Sequence, residues 1–227
     1  MSTSFLPDTL TFPVPILPRD WKLDDLQMHL GDIPLSRIRM FPPPGMATED
    51  DAAALRREEG VLCEVVDGVL VEKTMGWKES VIAVYLAHLI SAFIAGKRLG
   101  VVLGPDGQVR TTGRQVRLPD VAFIRWDRIP PAADDQNVCP TTPDLAVEVL
   151  SQGNTAKEIE RELDEYFSGG AQLAWMIDPR QRTAEVYTAR HNRMRTWSWR
   201  MCAARPPRTP WPACARPVRK RSRSHST

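Results

Sequence analysis

Hydrophobic and polar positions change texture three times along the chain. Residues 1–45 are proline-rich ("FPVPILP", "MFPPPGM") without sustained periodicity, and read as extended chain, loosely ordered or wrapped on the surface. The pattern then becomes regular. "ATEDDAAALRREEG" predicts a short helix with Thr48 as N-cap, acids in its first turn and Gly60 as its stop. "VLCEVVDGVLVEK" predicts a β-hairpin whose two β-rich runs are joined by Asp67-Gly68, a pair suited to a type I′ turn. "WKESVIAVYLAHLISAFIAGKR" is apolar around most of a helical circumference and predicts a long, largely buried helix.

Strand-like pieces follow: "LGVVLG", "GQVRTT" and "RQVRLPDVAFIRW", then a proline-rich loop and the run Leu145–Leu150. A helix is predicted from Asn154 to about Ser168, because Ile159, Leu163, Tyr166 and Phe167 recur at i, i+4, i+7 and i+8. "AQLAWMIDP" and "TAEVYTA" add two strands. The order of hairpin, helix, strands, helix and strands implies an α/β fold with a mixed, centrally placed sheet. The predicted domain spans residues 46–189.

One residue breaks the pattern. Glu148 stands inside the apolar run Leu145-Ala146-Val147-Glu148-Val149-Leu150. An ionised carboxylate in a buried strand is costly unless it is paired or binds a metal. "VRLPDVAFI" supplies a companion, Asp120, directly after Pro119 at the start of another β-rich run. Two carboxylates on neighbouring strands can chelate a hard divalent cation such as Mg²⁺, or Mn²⁺. Such an ion generates a nucleophilic hydroxide and stabilises a phosphodiester's developing charge. Glu148 is therefore expected to face a wet sheet edge beside Asp120. The plainer alternative has Asp120 capping a turn and Glu148 pairing with an arginine.

Composition narrows the setting. The chain has 227 residues, enough for one solid core, and no run of 18 consecutive apolar residues, so a membrane span is not expected. The first residues lack the basic and then apolar organisation of a signal peptide. Cys63, Cys139, Cys202 and Cys214 are widely spaced without a CxxC pair, which argues against zinc and a disulfide framework and fits a reducing cytoplasm.

The net charge of +2 hides an asymmetry. From Arg190 onward there are 11 Lys or Arg and no acid, so the preceding 189 residues hold 30 − 11 = 19 basic against 28 acidic groups. The tail has no helical or alternating pattern and is expected to be disordered. Two readings of it stand: a basic, aromatic-bearing arm for phosphates and bases, or an end translated in a shifted reading frame.

Several blocks in order, "CEVVDGVLVEK", "VRLPDVAF", "PDLAVEVLS", "NTAKEIERELDEYFSGG" and "LAWMIDPRQRTAEVY", resemble the Uma family of putative restriction endonucleases, within the PD-(D/E)XK nuclease superfamily. The resemblance covers about residues 48–188. It implies a restriction-endonuclease-like mixed sheet flanked by helices, an N-terminal β-hairpin arm, and an active site at the sheet's open edge. It implies a Mg²⁺-dependent DNA endonuclease in which Asp120 and Glu148 are catalytic metal ligands and Glu64 is an auxiliary catalytic acid. DNA is then the partner, and a homodimer would address two strands. The alternative is a catalytically inactive nuclease-fold module that binds nucleic acid or a protein.

The superfamily's lysine is not where the resemblance would put it. Position 150 is Leu150, and the helix position where relatives carry a lysine is Glu162. At about 100° per residue, with Ile159 at zero, the buried stripe centres near 25°, Glu162 lies at about 300° and Lys157 at about 160°. Glu162 thus flanks the stripe and Lys157 points toward solvent. On this reading the site lacks its cation, cutting is slow or absent, and Glu162→Lys is expected to raise it.

Overall fold

The computed structural model describes residues 17, 18 and 20–198, which form two sheets and four α-helices. In chain order these are α1 (Leu23–His29), β1 (Ile38–Arg39), α2 (Glu49–Glu59), β2 (Cys63–Val66), β3 (Val69–Glu72) and α3 (Trp77–Ile94). There follow β4 (Gly100–Leu103), β5 (Val109–Arg110), β6 (Val116–Arg117), β7 (Val121–Arg125) and β8 (Leu145–Val149). The chain then forms α4 (Ala156–Ser168), β9 (Leu173–Asp178), β10 (Thr183–Ala189) and β11 (Asn192–Ser198).

A six-stranded sheet in the order β11-β10-β9-β8-β7-β4 is the expected mixed, central sheet. Its β8–β9 pair is parallel, and α4 is the crossover that parallel pairing requires. Period-2 alternation divides the sheet's two faces. Leu145, Val147 and Val149 of β8 join Ala83 of α3 in one core, while Ala146 packs with Tyr166 of α4. Glu148 therefore belongs to the α4 face.

The hairpin is not a free arm. Strands β2 and β3 are the centre of a second, five-stranded sheet, β1-β3-β2-β6-β5. At the turn Asp67 has φ 48° and Gly68 φ 72°, the positive values a type I′ turn needs. A Cβ at position 68 would also meet the Gly45 backbone at 2.5 Å.

The run "RQVRLPDVAFIRW", which alternates like one strand, is split between the sheets. Val116–Arg117 pairs with β2, and Val121–Arg125 pairs with β4 and β8. Pro119 has no N–H to give a ladder, so the chain crosses from one sheet to the other at Leu118-Pro119-Asp120. Asp120 is thereby placed at the junction.

Three expectations are corrected. Within residues 1–45, the described part is ordered: Leu26, Leu30, Ile33 and Ile38 are buried with Val66, Val69 and Val71, so α1 and β1 cover the hairpin. Their apolar residues lack periodicity because the elements are short. Helix α3 is not largely buried. Ile82, Ala83, Leu86, Ala87 and Ile90 pack on the sheet, but Trp77, Val84, Leu89 and Phe93 are exposed, because one sheet covers one face of a helix. By length and apolar composition alone α3 also meets the requirement of a membrane span. Finally, the start of the expected disordered tail is a strand: β11 pairs antiparallel with β10 from Asn192 to Ser198, all of it exposed. The rest of the tail lies outside the described residues.

Candidate active site

The helix over the junction, α4, is set by local signals. Thr155 caps α4 by accepting from the Glu158 N–H at 3.0 Å, and Glu158 in turn accepts from the Thr155 N–H at 3.4 Å. This start fixes the helix phase, and Glu162, Glu165 and Tyr166 are buried over the sheet. Lys157 falls on the far side, with its side chain 60% exposed and paired to Asp32 at 2.6 Å.

Asp120 and Glu148 are brought together, but not on a wet edge. They are 2% and 4% exposed. Asp120 Oδ2 accepts from the Val149 N–H at 2.7 Å, and Glu148 Oε1 accepts from the Tyr166 hydroxyl at 2.5 Å. Their other oxygens converge on one cation. Lys73, the residue that follows β3, places Nζ 3.0 Å from Glu148 Oε2 and 3.2 Å from Asp120 Oδ1. The Asp120 Oδ1 contact has ion-pair distance without hydrogen-bond geometry, so among the described residues no group donates a hydrogen bond to this buried oxygen. A cavity of about 10 Å³ lies among Lys73, Asp120, Glu148, Glu162, Arg37 and Asn154, room for about one water or small ion.

Glu64, from β2, stands one layer away. It is buried and accepts from Arg117 Nη1 at 2.8 Å and from the Leu118 N–H at 3.0 Å. Arg117 is held by a bidentate pair with Glu165, at 2.6 and 2.8 Å, and reaches Glu162 Oε1 at 3.7 Å. The chain of charges runs outward through Arg161, which bonds Glu165 at 2.9 Å and Asp67 at 2.5 Å, to His29, 2.7 Å from Asp67. Asp67 is thus a charged anchor as well as a turn residue.

The electrostatics follow from crowding in a dry place. Burial works against charge on Lys73, but Glu148, Asp120, Glu64 and Glu162 overcome it and hold the ammonium well above its usual range. Arg117 is likewise raised, by Glu165, Glu64 and Glu162 against burial. Glu64 is lowered: Arg117 and Lys73 outweigh its burial. For Glu148 the balance tips the other way. Burial, with repulsion from Asp120, pushes it up to about 7 despite Lys73. Burial and then Glu148 hold Glu162 well above the carboxylate range.

Glu148, Asp120, Glu64 and Glu162 bear on Lys73, and Arg117, the second cation, also serves Glu165, so acids outnumber these two cations around the cavity. A divalent cation would balance that excess. Among the described residues no three His, Cys, Asp or Glu side chains form a ready-made metal cage. Mg²⁺ does not ask for one, since it is commonly held by one or two carboxylates with waters and substrate phosphates. The donor set, the undonated Asp120 Oδ1 and the small cavity fit such an ion.

One test of this crowding is direct. Glu162→Gln is expected to leave stability unchanged near pH 4 and to raise it progressively above that, with the gap widening into the alkaline range. The unfolded chain releases the Glu162 proton near its ordinary value while the folded chain retains it, so wild-type stability falls relative to the variant as pH rises. Melting curves from pH 4 to 9 measure the gap. Parallel pH profiles would mean that Glu162 is solvated and not buried against Glu148.

Pattern identified Asp120 and Glu148, and the family resemblance pointed to Glu64 and Glu162, but Lys73, Glu165 and Tyr166 were missed as members of the site. For Lys73 a signal existed. The two-residue turn sets Glu64 opposite Val71, and the side chain two residues on, Lys73, shares that face.

Comparison with known proteins agrees with this architecture. The sequence model of Uma2, described as "Putative restriction endonuclease", matches residues 49–206. No match is found among curated proteins. Among solved structures, a protein of Anabaena variabilis described as a putative nuclease belonging to DUF820 is similar in fold. Its TM-score is 0.52 at 23% identity, over 61% of this chain and 76% of that one.

Proposed function

Because the chain belongs to the Uma2 family of putative restriction endonucleases, we propose that it is a divalent-metal-dependent DNA endonuclease that hydrolyses phosphodiester bonds at the junction of its two sheets. The observation that carries this reading is the convergence of Asp120, from the crossover between the sheets, and Glu148, from β8, on a single cation position. Those two carboxylates would hold Mg²⁺ or Mn²⁺. When bound, the ion supplies Lewis acidity toward the phosphate and an activated water.

The chain's own residues hold the ligands still. The Val149 N–H fixes Asp120, and the Tyr166 hydroxyl fixes Glu148 from α4. Such supporting hydrogen bonds orient ligands and tune metal affinity. Glu64 acts through Arg117 and the Leu118 N–H and is a positioning residue: it ties the hairpin to the segment that carries Asp120. DNA is the substrate that the family description supports.

The test uses the full chain on supercoiled plasmid with Mg²⁺ or Mn²⁺, against EDTA. Nicked or linear product that requires the metal is the expected result. Tight plasmid binding without cutting under any divalent cation would replace the nuclease with the nucleic-acid-binding module.

A further inference from the structure

The nuclease reading leaves open which group supplies positive charge to the scissile phosphate, now that the helix position is Glu162. Four cations stand near enough to consider. Arg117 is committed to Glu64 and to both oxygens of Glu165. Arg37 lines the cavity but donates to the Glu72 carbonyl at 2.9 Å and to Glu158 at 2.8 Å. Lys157 is on the solvent side with Asp32. Lys73 differs from all three: its ammonium pairs with the two carboxylates assigned to the metal.

We propose that Lys73 is the cation of this site and that a divalent metal ion displaces it. Without metal, its ammonium bridges Asp120 and Glu148. When the metal takes those oxygens, Lys73 is released to the phosphate that the metal also binds. The inference rests on the nuclease reading above.

The geometry requires the displacement. A hard cation lies about 2.0–2.6 Å from its oxygen ligands. An ammonium 3.0 and 3.2 Å from the same two carboxylates occupies the same space and repels the ion. The tether allows movement. The Lys73 N–H still donates to the Leu62 carbonyl at 2.9 Å, which anchors the backbone at the end of β3, while residues 73–76 have no regular structure and the side chain reaches the cavity from its margin. Its flexible four-carbon stem lets the ammonium move while the backbone stays. A lysine delivered from the hairpin thus does the work expected of one on the helix. Glu162, paired at 3.7 Å with Arg117, is then a member of the buried charge network and not a vacated catalytic position.

The experiment has two arms. In wild-type protein, amine acetylation of Lys73, followed by peptide mass spectrometry, is expected to accelerate several-fold when Mn²⁺ is added, because the ammonium leaves the carboxylates. In the second arm Lys73→Met and Lys73→Arg are titrated with Mn²⁺ by calorimetry and assayed for plasmid nicking. Lys73→Met is expected to bind Mn²⁺ more tightly than wild type and to nick about 10²-fold more slowly. Lys73→Arg should recover part of the nicking. Mn²⁺ binding to wild type with unchanged Lys73 acetylation overturns the displacement and leaves the nuclease reading intact. Lys73→Met that nicks at the wild-type rate overturns the catalytic assignment. No Mn²⁺ binding by wild type or Lys73→Met removes the metal reading and this inference with it. If Lys73→Met does not fold, the wild-type acetylation arm decides.

Discussion

Asp120→Asn is expected to remove divalent-metal binding and to lower plasmid cleavage by about 10²–10³-fold or more, the scale of losing a preorganised charge at the reacting group. The variant should still fold. Asp120 Oδ2 accepts the Val149 N–H at 2.7 Å, and an asparagine carbonyl oxygen can keep that bond. The lost atom is Oδ1, the buried oxygen to which no group among the described residues donates a hydrogen bond. In its place an amide N–H₂ would face Lys73 and cannot ligate a cation. Lys73 retains Glu148 at 3.0 Å, so the ammonium is not orphaned. Calorimetric titration with Mn²⁺, plasmid nicking and a melting curve on the same preparation separate the two effects. A variant that binds Mn²⁺ with wild-type affinity would take Asp120 out of the site. One that loses cooperative melting would show that its charge holds the sheet junction together.

How far this site could be read from the sequence depends on which physical signal each residue carries. Local signals were legible. Thr48 announces its helix through capping chemistry, and that cap forms, while the stripe Ile159, Leu163, Tyr166 and Phe167 marks α4. The Asp67-Gly68 pair fixes the hairpin turn, and with it the register of Glu64. A carboxylate inside an apolar run marked Glu148 because burial without a partner is expensive, although its partners, Lys73 and Tyr166, lie 75 and 18 residues away. Such long-range pairings leave little local trace: the hairpin register places Lys73 on the face of Glu64, but nothing nearby in sequence points either partner at Glu148. The alternation through "RQVRLPDVAFIRW" hid the change of sheet at Pro119, and with it the reason Asp120 meets Glu148. The periodicity of α3 failed differently. An apolar circumference says what a helix can bury against and not what is there to cover it.

Arg117→Met should produce the largest loss of stability. The Arg117 side chain is 3% exposed and holds Glu64 at 2.8 Å and Glu165 at 2.6 and 2.8 Å, with Glu162 at 3.7 Å. Breaking a buried ion pair from one side costs about 3–5 kcal/mol because a charge is left without compensation. Here the orphaned groups are several, although Arg161 still reaches Glu165 at 2.9 Å and the Leu118 N–H still reaches Glu64 at 3.0 Å. Against a typical total of about 5–15 kcal/mol, such a loss approaches unfolding. For a domain of this size it lowers the melting temperature by roughly 6–20 °C. The pH dependence identifies the cause. In wild type, Glu64 is held below its ordinary value by Arg117 and Lys73 against burial, so the stability it contributes is present above about pH 4.5 and is lost as pH falls through the folded value. In the variant Glu64 loses that hold and takes up a proton instead. The gap between the two proteins should therefore be widest near neutral pH and narrow toward pH 4. Adding Glu64→Gln to Arg117→Met should recover part of the loss at neutral pH, because a neutral amide needs no countercharge. Denaturant titrations at pH 4.5 and 7.5 measure both effects. A penalty equal at the two values, with no recovery in the double variant, would mean that Arg117 contributes packing alone and that the charge network does not hold the two sheets together.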